Sequence, residues 1–383
     1  MKKLFFYVVA AAIALTSCSS EDVVEVNNNG NAIDFRVAMG PGANSRGLET
    51  TETNLKEFFV TAVYDVSHGN YFADVLFSVG DKKFDSENRF MWPTEKLNFY
   101  AYSYGVPTTD DGWDSFADLY PTKDDLKSVF GEITIEYGTQ KFTGFTPNED
   151  ISKQIDFVTA TASGTGTDEE KANGVGLTFN HALSQIQIQA LENDPEYIYN
   201  IRGVKIVNVI SKDEFNMGNG YWLNSDPNVT EKPSYTTADG NLGSYTIEYS
   251  TDTDPIQLTG QAQDIMLAEN GSAMLIPQQL NGWNPENAST STGAYIAVLL
   301  QVTMKGTGTQ AYPLTITEKN YAWALAPIST NWKKGYKYVY TLDFSDGAGY
   351  DEISGEKIFD GMISCTCDVT PWNNSESNKG VGM

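Results

Sequence analysis

Leu15-Thr16-Ser17-Cys18 places a thiol, a nucleophile, at the end of a short secretory leader. Lys2 and Lys3 form a basic start, an apolar run follows from Leu4 to Leu15, and small residues precede the cysteine. The run is shorter than the about 20 apolar residues that a spanning helix needs. The leader is therefore expected to be removed as a secretory signal peptide.

Little else in the chain is arranged for chemistry. Of the 2 histidines, His68 sits in a Ser-His-Gly-Asn turn. His181 lies where a strand begins and is expected to satisfy backbone groups. Neither has a spacing that suggests a metal site. No Gly-x-Ser-x-Gly elbow, phosphate-binding loop or His-Glu-x-x-His helix occurs. The acidic, glycine-rich stretch 343–352 has its glycine in the wrong place for an EF-hand loop. Cys365 and Cys367 point to one face of a strand with Ile363 and Val369, so they are expected to be small core residues rather than a redox pair. The expectation is a protein that is not an enzyme and uses no cofactor or metal.

Charge excludes further classes. With 25 Lys+Arg against 50 Asp+Glu, the net charge of −25 argues against nucleic acid, whose binding needs clustered cations. It equally argues against direct contact with an anionic membrane surface. Residues 19–30 are polar and acidic and cannot bury enough surface to fold alone, so they read as a tether.

The elements that remain are almost all β. Alternating or β-rich runs at 58–64, 97–104, 131–137, 183–191, 204–209, 245–249, 273–276, 295–303, 336–344 and 362–369 are separated by turns such as Asn219-Gly220 and Asp239-Gly240. One short helix is expected at 121–129, and a surface loop at 161–174. The length suits two domains, divided near Asn180. Near the N-terminus Ile33, Phe35, Val37 and Met39 alternate with Asp34, Arg36 and Ala38, an amphipathic strand able to plug a groove. Pro41 to Ser45 then form a cleavable connector ending at Arg46, whereas Arg36 is expected to be buried within the strand.

Several motifs in order carry a resemblance. After the leader and its acidic tether come Ser45-Arg46-Gly47, Trp92-Pro93, Leu97-Asn-Phe-Tyr-Ala-Tyr and Asp156-Phe-Val-Thr-Ala. Leu177-Thr-Phe-Asn-His-Ala-Leu-Ser, Met274-Leu-Ile-Pro-Gln-Gln-Leu and Trp332-Lys-Lys-Gly-Tyr-Lys-Tyr-Val-Tyr follow. This chain resembles the fimbrillins of Bacteroidia, the type V pilins and their accessory or tip subunits. The leader resembles a lipobox, which implies removal of residues 1–17 as a lipoprotein signal peptide and acylation of the Cys18 thiol by chains such as palmitate that hold the protein on a membrane, and the acidic residues after Cys18 resemble a surface-export signal.

The resemblance implies two transthyretin-like β-sandwich domains in tandem, here 47–180 and 181–383, preceded by a lipidated tether and removable strand at 18–46. It implies travel to the outer membrane on a lipid anchor, cleavage after Arg46 by an arginine-specific protease, and loss of the strand carrying Ile33, Phe35, Val37 and Met39. Other fimbrial subunits would then add a strand to the vacated groove, building a cell-surface fimbrium that supports adhesion to a host or bacterial surface ligand. Residues 362–372 are either a donor strand or part of their own domain. The alternative function is a surface lipoprotein that binds glycans on exposed Trp113, Trp222 and Trp283, unless these rings cap sheet edges.

Overall fold

The computed structural model describes residues 32–40, 50, 55–79, 84–104, 108–109, 112–113, 132–134, 140–151, 154, 156–250, 252–267, 271–287, 292–314, 320–359 and 361–372. Cys18, Arg46 and the helix expected at 121–129 lie outside these residues. The expected all-β architecture holds.

In the N-terminal half, β1 (Phe35–Met39), β2 (Glu57–Tyr64), β3 (Asn70–Val79), β4 (Phe84–Asp85) and β5 (Leu97–Tyr104) pair with the strands Phe157–Gly164 and Val175–His181. Their hydrogen bonds run in one closed circuit, which β1 completes through its ladder to Val175–His181 and a single pair to β4. Val175–His181 shows the reason for the strand: Val175, Leu177, Phe179 and His181 are buried, and Gly176, Thr178 and Asn180 are exposed, a strict period of two.

β5 is buried on both faces, and its alternation serves two cores. Leu97, Phe99 and Ala101 enter the barrel interior with Phe58, Val60 and Phe77. Tyr100, Tyr102 and Tyr104 face a second cluster with Phe142, Phe157, Phe215, Trp222 and Trp372. That second cluster draws on both halves of the chain.

The C-terminal half is two packed sheets. One pairs Ser184–Leu191 in parallel with Tyr336–Asp343, which in turn pairs antiparallel with Ser364–Pro371 at the edge. The other centres on the long strand Tyr197–Ile210, flanked by Leu242–Glu248 and Tyr295–Met304. Ile186, Ile188, Val204, Ile206, Ile296, Val298, Tyr338 and Tyr340 fill the space between them.

The halves are more entangled than a division near Asn180 suggests. The Lys141–Phe145 strand pairs with Asp213–Asn216, from the other half, in a small four-stranded sheet. Ile151 belongs to the C-terminal core. The segment expected as a loop at 161–174 instead ends the Phe157–Gly164 strand and then forms a helix, Asp168–Asn173. Thr167 caps that helix in a reciprocal capping box with Glu170, a signal present in the sequence as Thr-x-x-Glu.

Candidate strand-addition groove

β1 is held chiefly from one side. It runs parallel to Val175–His181, from Phe35 opposite Val175 to Met39 opposite Phe179. On the other side it meets β4 at a single pair, Phe35 with Phe84. Hydrogen bonds extend the seat beyond the strand: the Ile33 N–H donates to Phe90 O at 2.8 Å, and the Gly40 N–H donates to Phe179 O at 2.6 Å. Gly174 takes φ 73°, and a side-chain carbon there would lie 3.0 Å from Asp34 O, so the backbone of β1 can approach only because this residue is glycine.

The side chains behave as the alternation requires. Ile33 and Phe35 are buried, Val37 and Met39 are half-buried against the same core, and Arg36 and Ala38 are exposed. The expectation that Arg36 is buried is corrected: its backbone is locked in the ladder, while its side chain lies on the outer face of a strand whose odd positions point inward. Phe35 is the centre of the plug. Its ring meets Phe77, Phe99 and Phe58 edge-on, with centroids 4.9, 5.3 and 6.0 Å away.

A second constellation fixes the chain just beyond the connector. The Thr50 N–H donates to Asp156 Oδ2 at 2.9 Å, and the same oxygen lies 2.7 Å from His181 Nδ1. His181 stacks on Trp372, with ring centroids 4.1 Å apart and planes 19° apart. All four residues are buried. His181 thus has a carboxylate partner, where the sequence suggested backbone groups. No spacing rule links residues 50, 156, 181 and 372, so only folding brings them together. The connector that contains Arg46 is therefore bracketed by two fixed points, Gly40 and Thr50.

The end of β1 and the end of the chain also meet. Gly40, His181, Lys334 and Pro371 line a cleft of about 550 Å³. The Ser364–Pro371 strand completes its own sheet here, and the Trp372 N–H donates to Gly335 O at 2.8 Å. Cys365 and Cys367 are free and only half-buried, packed on the C-terminal core from an edge strand. Burial, with the neighbouring Cys367 thiol, pushes the Cys365 thiol up to about 12.

Other proposed chemistry is not assembled. Among the described residues no group of three or more His, Cys, Asp and Glu side chains could hold a metal ion. No helix among them is long and apolar enough to cross a membrane. Trp222 and Trp283 are buried, which removes them as exposed glycan platforms, and the Trp113 side chain lies outside the described residues.

The model of the fimbrillin-like family matches residues 44–372. The chain belongs to the fimbrillin-like family. A fimbrial protein from Bacteroides vulgatus has a similar structure, with a TM-score of 0.53 at 14% identity, covering 89% of this chain and 99% of that one. A candidate cell adhesion protein from Bacteroides ovatus aligns with a TM-score of 0.44 at 13% identity, over 89% of this chain and 97% of that one. At 14% identity the likeness to the Bacteroides vulgatus protein is one of fold alone. Curated protein sequences gave no match.

Proposed function

We propose that this fimbrillin-like protein is a structural subunit of a cell-surface fimbrium, exported as a lipoprotein through Cys18, cut after Arg46 and assembled by strand exchange. It performs no catalysis. Its partners are other fimbrial subunits, an arginine-specific protease, the outer membrane through the lipid anchor, and a surface ligand to which the fimbrium adheres. The unit at 47–180 receives a neighbour's strand, and the unit at 181–383 joins it to the next subunit.

The observation that carries this reading is the seat of β1: a short terminal strand that closes an otherwise open circuit and fills an aromatic pocket. Magnitudes favour a removable plug. At about 1.5–3 kcal/mol for each fully buried apolar side chain, two buried and two half-buried residues contribute roughly 4–9 kcal/mol. As a separate peptide, that corresponds to a Kd of about millimolar to submicromolar before any cost of ordering. The intact connector supplies an effective concentration in the millimolar range, which keeps β1 bound. Cutting it removes that term, and a strand with deeper or more numerous anchors can replace β1 along the Val175–His181 edge.

Both ends of the connector are pinned, so a cut between Gly40 and Thr50 frees the strand and leaves the mature chain anchored at Asp156. The donor can be the edge strand Ser364–Pro371, which has one ladder only and ends at the same cleft as β1.

The test is to treat the purified precursor with an arginine-specific protease. The expected products are a chain beginning at Gly47 by mass spectrometry and larger species by gel filtration and electron microscopy. Arg46→Ala should remain monomeric. A chain that has been cut, has lost β1 and still stays monomeric at high concentration overturns strand exchange.

A further inference from the structure

A cavity of about 660 Å³ opens in the C-terminal half and shares no lining residue with the β1 groove. Its lining is unusual for this chain. Seven of its sixteen residues are Asn or Gln and none is Asp or Glu, although the protein carries 50 carboxylates and a net charge of −25. The cavity lies in the about 300–1,000 Å³ range of small-molecule sites.

The walls are held from behind by one buried carboxylate. Asp213 Oδ2 accepts from Asn224 Nδ2 at 2.7 Å, and its Oδ1 accepts from the Tyr235 hydroxyl at 2.8 Å. The second Asn224 Nδ2 hydrogen goes to Pro277 O at 3.1 Å, so the oxygen of this amide is left for a ligand. With its hydroxyl tied down, Tyr235 contributes its ring to the wall beside Leu242. Asn281, in the same lining, is exposed, and its side chain has no partner among the described residues.

We infer that this cavity is a binding site for a neutral oligosaccharide. An amide carries a donor and an acceptor side by side, which matches the adjacent hydroxyls of a pyranose; Gln278 spends both on Ile210 and Ile276, so it is Asn281, with the Asn224 oxygen, that presents these groups to a ligand. The Tyr235 ring and Leu242 offer a flat apolar surface to the C–H face of the sugar. A phosphorylated ligand would need several cations, and Lys232 is the one cation in the lining. A peptide would recruit exposed main-chain groups of a strand edge, whereas side-chain amides dominate here. At about −0.3 kcal/mol per heavy atom, a single hexose binds only in the millimolar range, so an oligosaccharide or a multivalent display is needed.

The experiment uses the uncleaved full chain with Cys18→Ala, so that strand exchange plays no part and its failure leaves this site untouched. The probes are an array of immobilised neutral and acidic oligosaccharides, followed by saturation-transfer NMR with the best free sugar. Retention of a neutral oligosaccharide is expected, weakened about fivefold to tenfold by Asn281→Ala, whose exposed side chain does not support the fold. Lys232→Ala should change affinity by less than about twofold, since no anion is being neutralised. Three results overturn the assignment: no transfer from any neutral sugar at millimolar concentration to the folded protein, binding confined to acidic sugars and lost with Lys232→Ala, or an unglycosylated peptide competing for the Asn281 wall.

Discussion

Phe35→Ala tests the plug directly. The side chain is 5% exposed and packs edge-on against three phenylalanines, so truncation leaves a void that β1, fixed in its ladder, cannot close. Buried Phe→Ala changes cost about 3–5 kcal/mol. At about 4 kcal/mol, the population with β1 released rises on the order of a thousandfold. Hydrogen exchange read by mass spectrometry on the uncleaved chain should show the Val175–His181 strand losing protection by about that factor, while Tyr197–Ile210 in the other half is unchanged. Urea unfolding of the same chain should fall by about 3–5 kcal/mol. After cleavage and separation of the peptide, wild type and variant become the same molecule and must agree. A precursor with unchanged exchange at Val175–His181 would mean that Phe35 does not close this core. A difference that survives loss of the peptide would refute the removable-strand argument.

Three other outcomes follow from the second constellation and the C-terminal edge. His181→Ala removes a hydrogen-bond partner from buried Asp156 Oδ2 and should destabilise the chain by about 1–3 kcal/mol, with Asp156→Asn in the same background recovering part of the loss in urea melts. Trp372→Ala removes a ring that is 1% exposed, costs about 3–5 kcal/mol, and should speed exchange in Ser364–Pro371 before β2 or β5 is affected. Cys365 ionises near 8.5 when unfolded and near 12 when folded, so the folded state holds the proton more tightly. Its contribution is constant below about pH 8 and is lost as pH rises, by up to about 1.4 kcal/mol per unit, a slope that Cys365→Ala should reduce between about pH 8.5 and 10.

The strand-turn rhythm and the amphipathic alternation at Ile33–Met39 are local properties, and the sequence alone determined them. A period of two forces Phe35 and Arg36 onto opposite faces whatever the partner. The same locality would have located the helix at Asp168–Asn173, had the Thr167–Glu170 capping box been weighed above the surrounding glycines. The alternating runs between turn clusters likewise implied the all-β class, because it does not depend on which strand meets which.

Partnership was decided only in three dimensions. That β1 pairs in parallel with Val175–His181 rather than with β2 is a long-range choice set by which edge is open and which pocket accepts Phe35. The pairing of Lys141–Phe145 with Asp213–Asn216 crosses the expected boundary because Phe142 and Phe145 find their burial beside Phe215 and Trp222. Polar residues surround Trp222 and Trp283 in sequence, which left open whether the rings are exposed or cap sheet edges, and burial was settled by their neighbours in space. The Thr50–Asp156–His181–Trp372 cluster is the clearest case. Its members span nearly the whole chain, each is unremarkable alone, and only the fold supplies the Thr50 and His181 hydrogen bonds that offset the cost of burying Asp156.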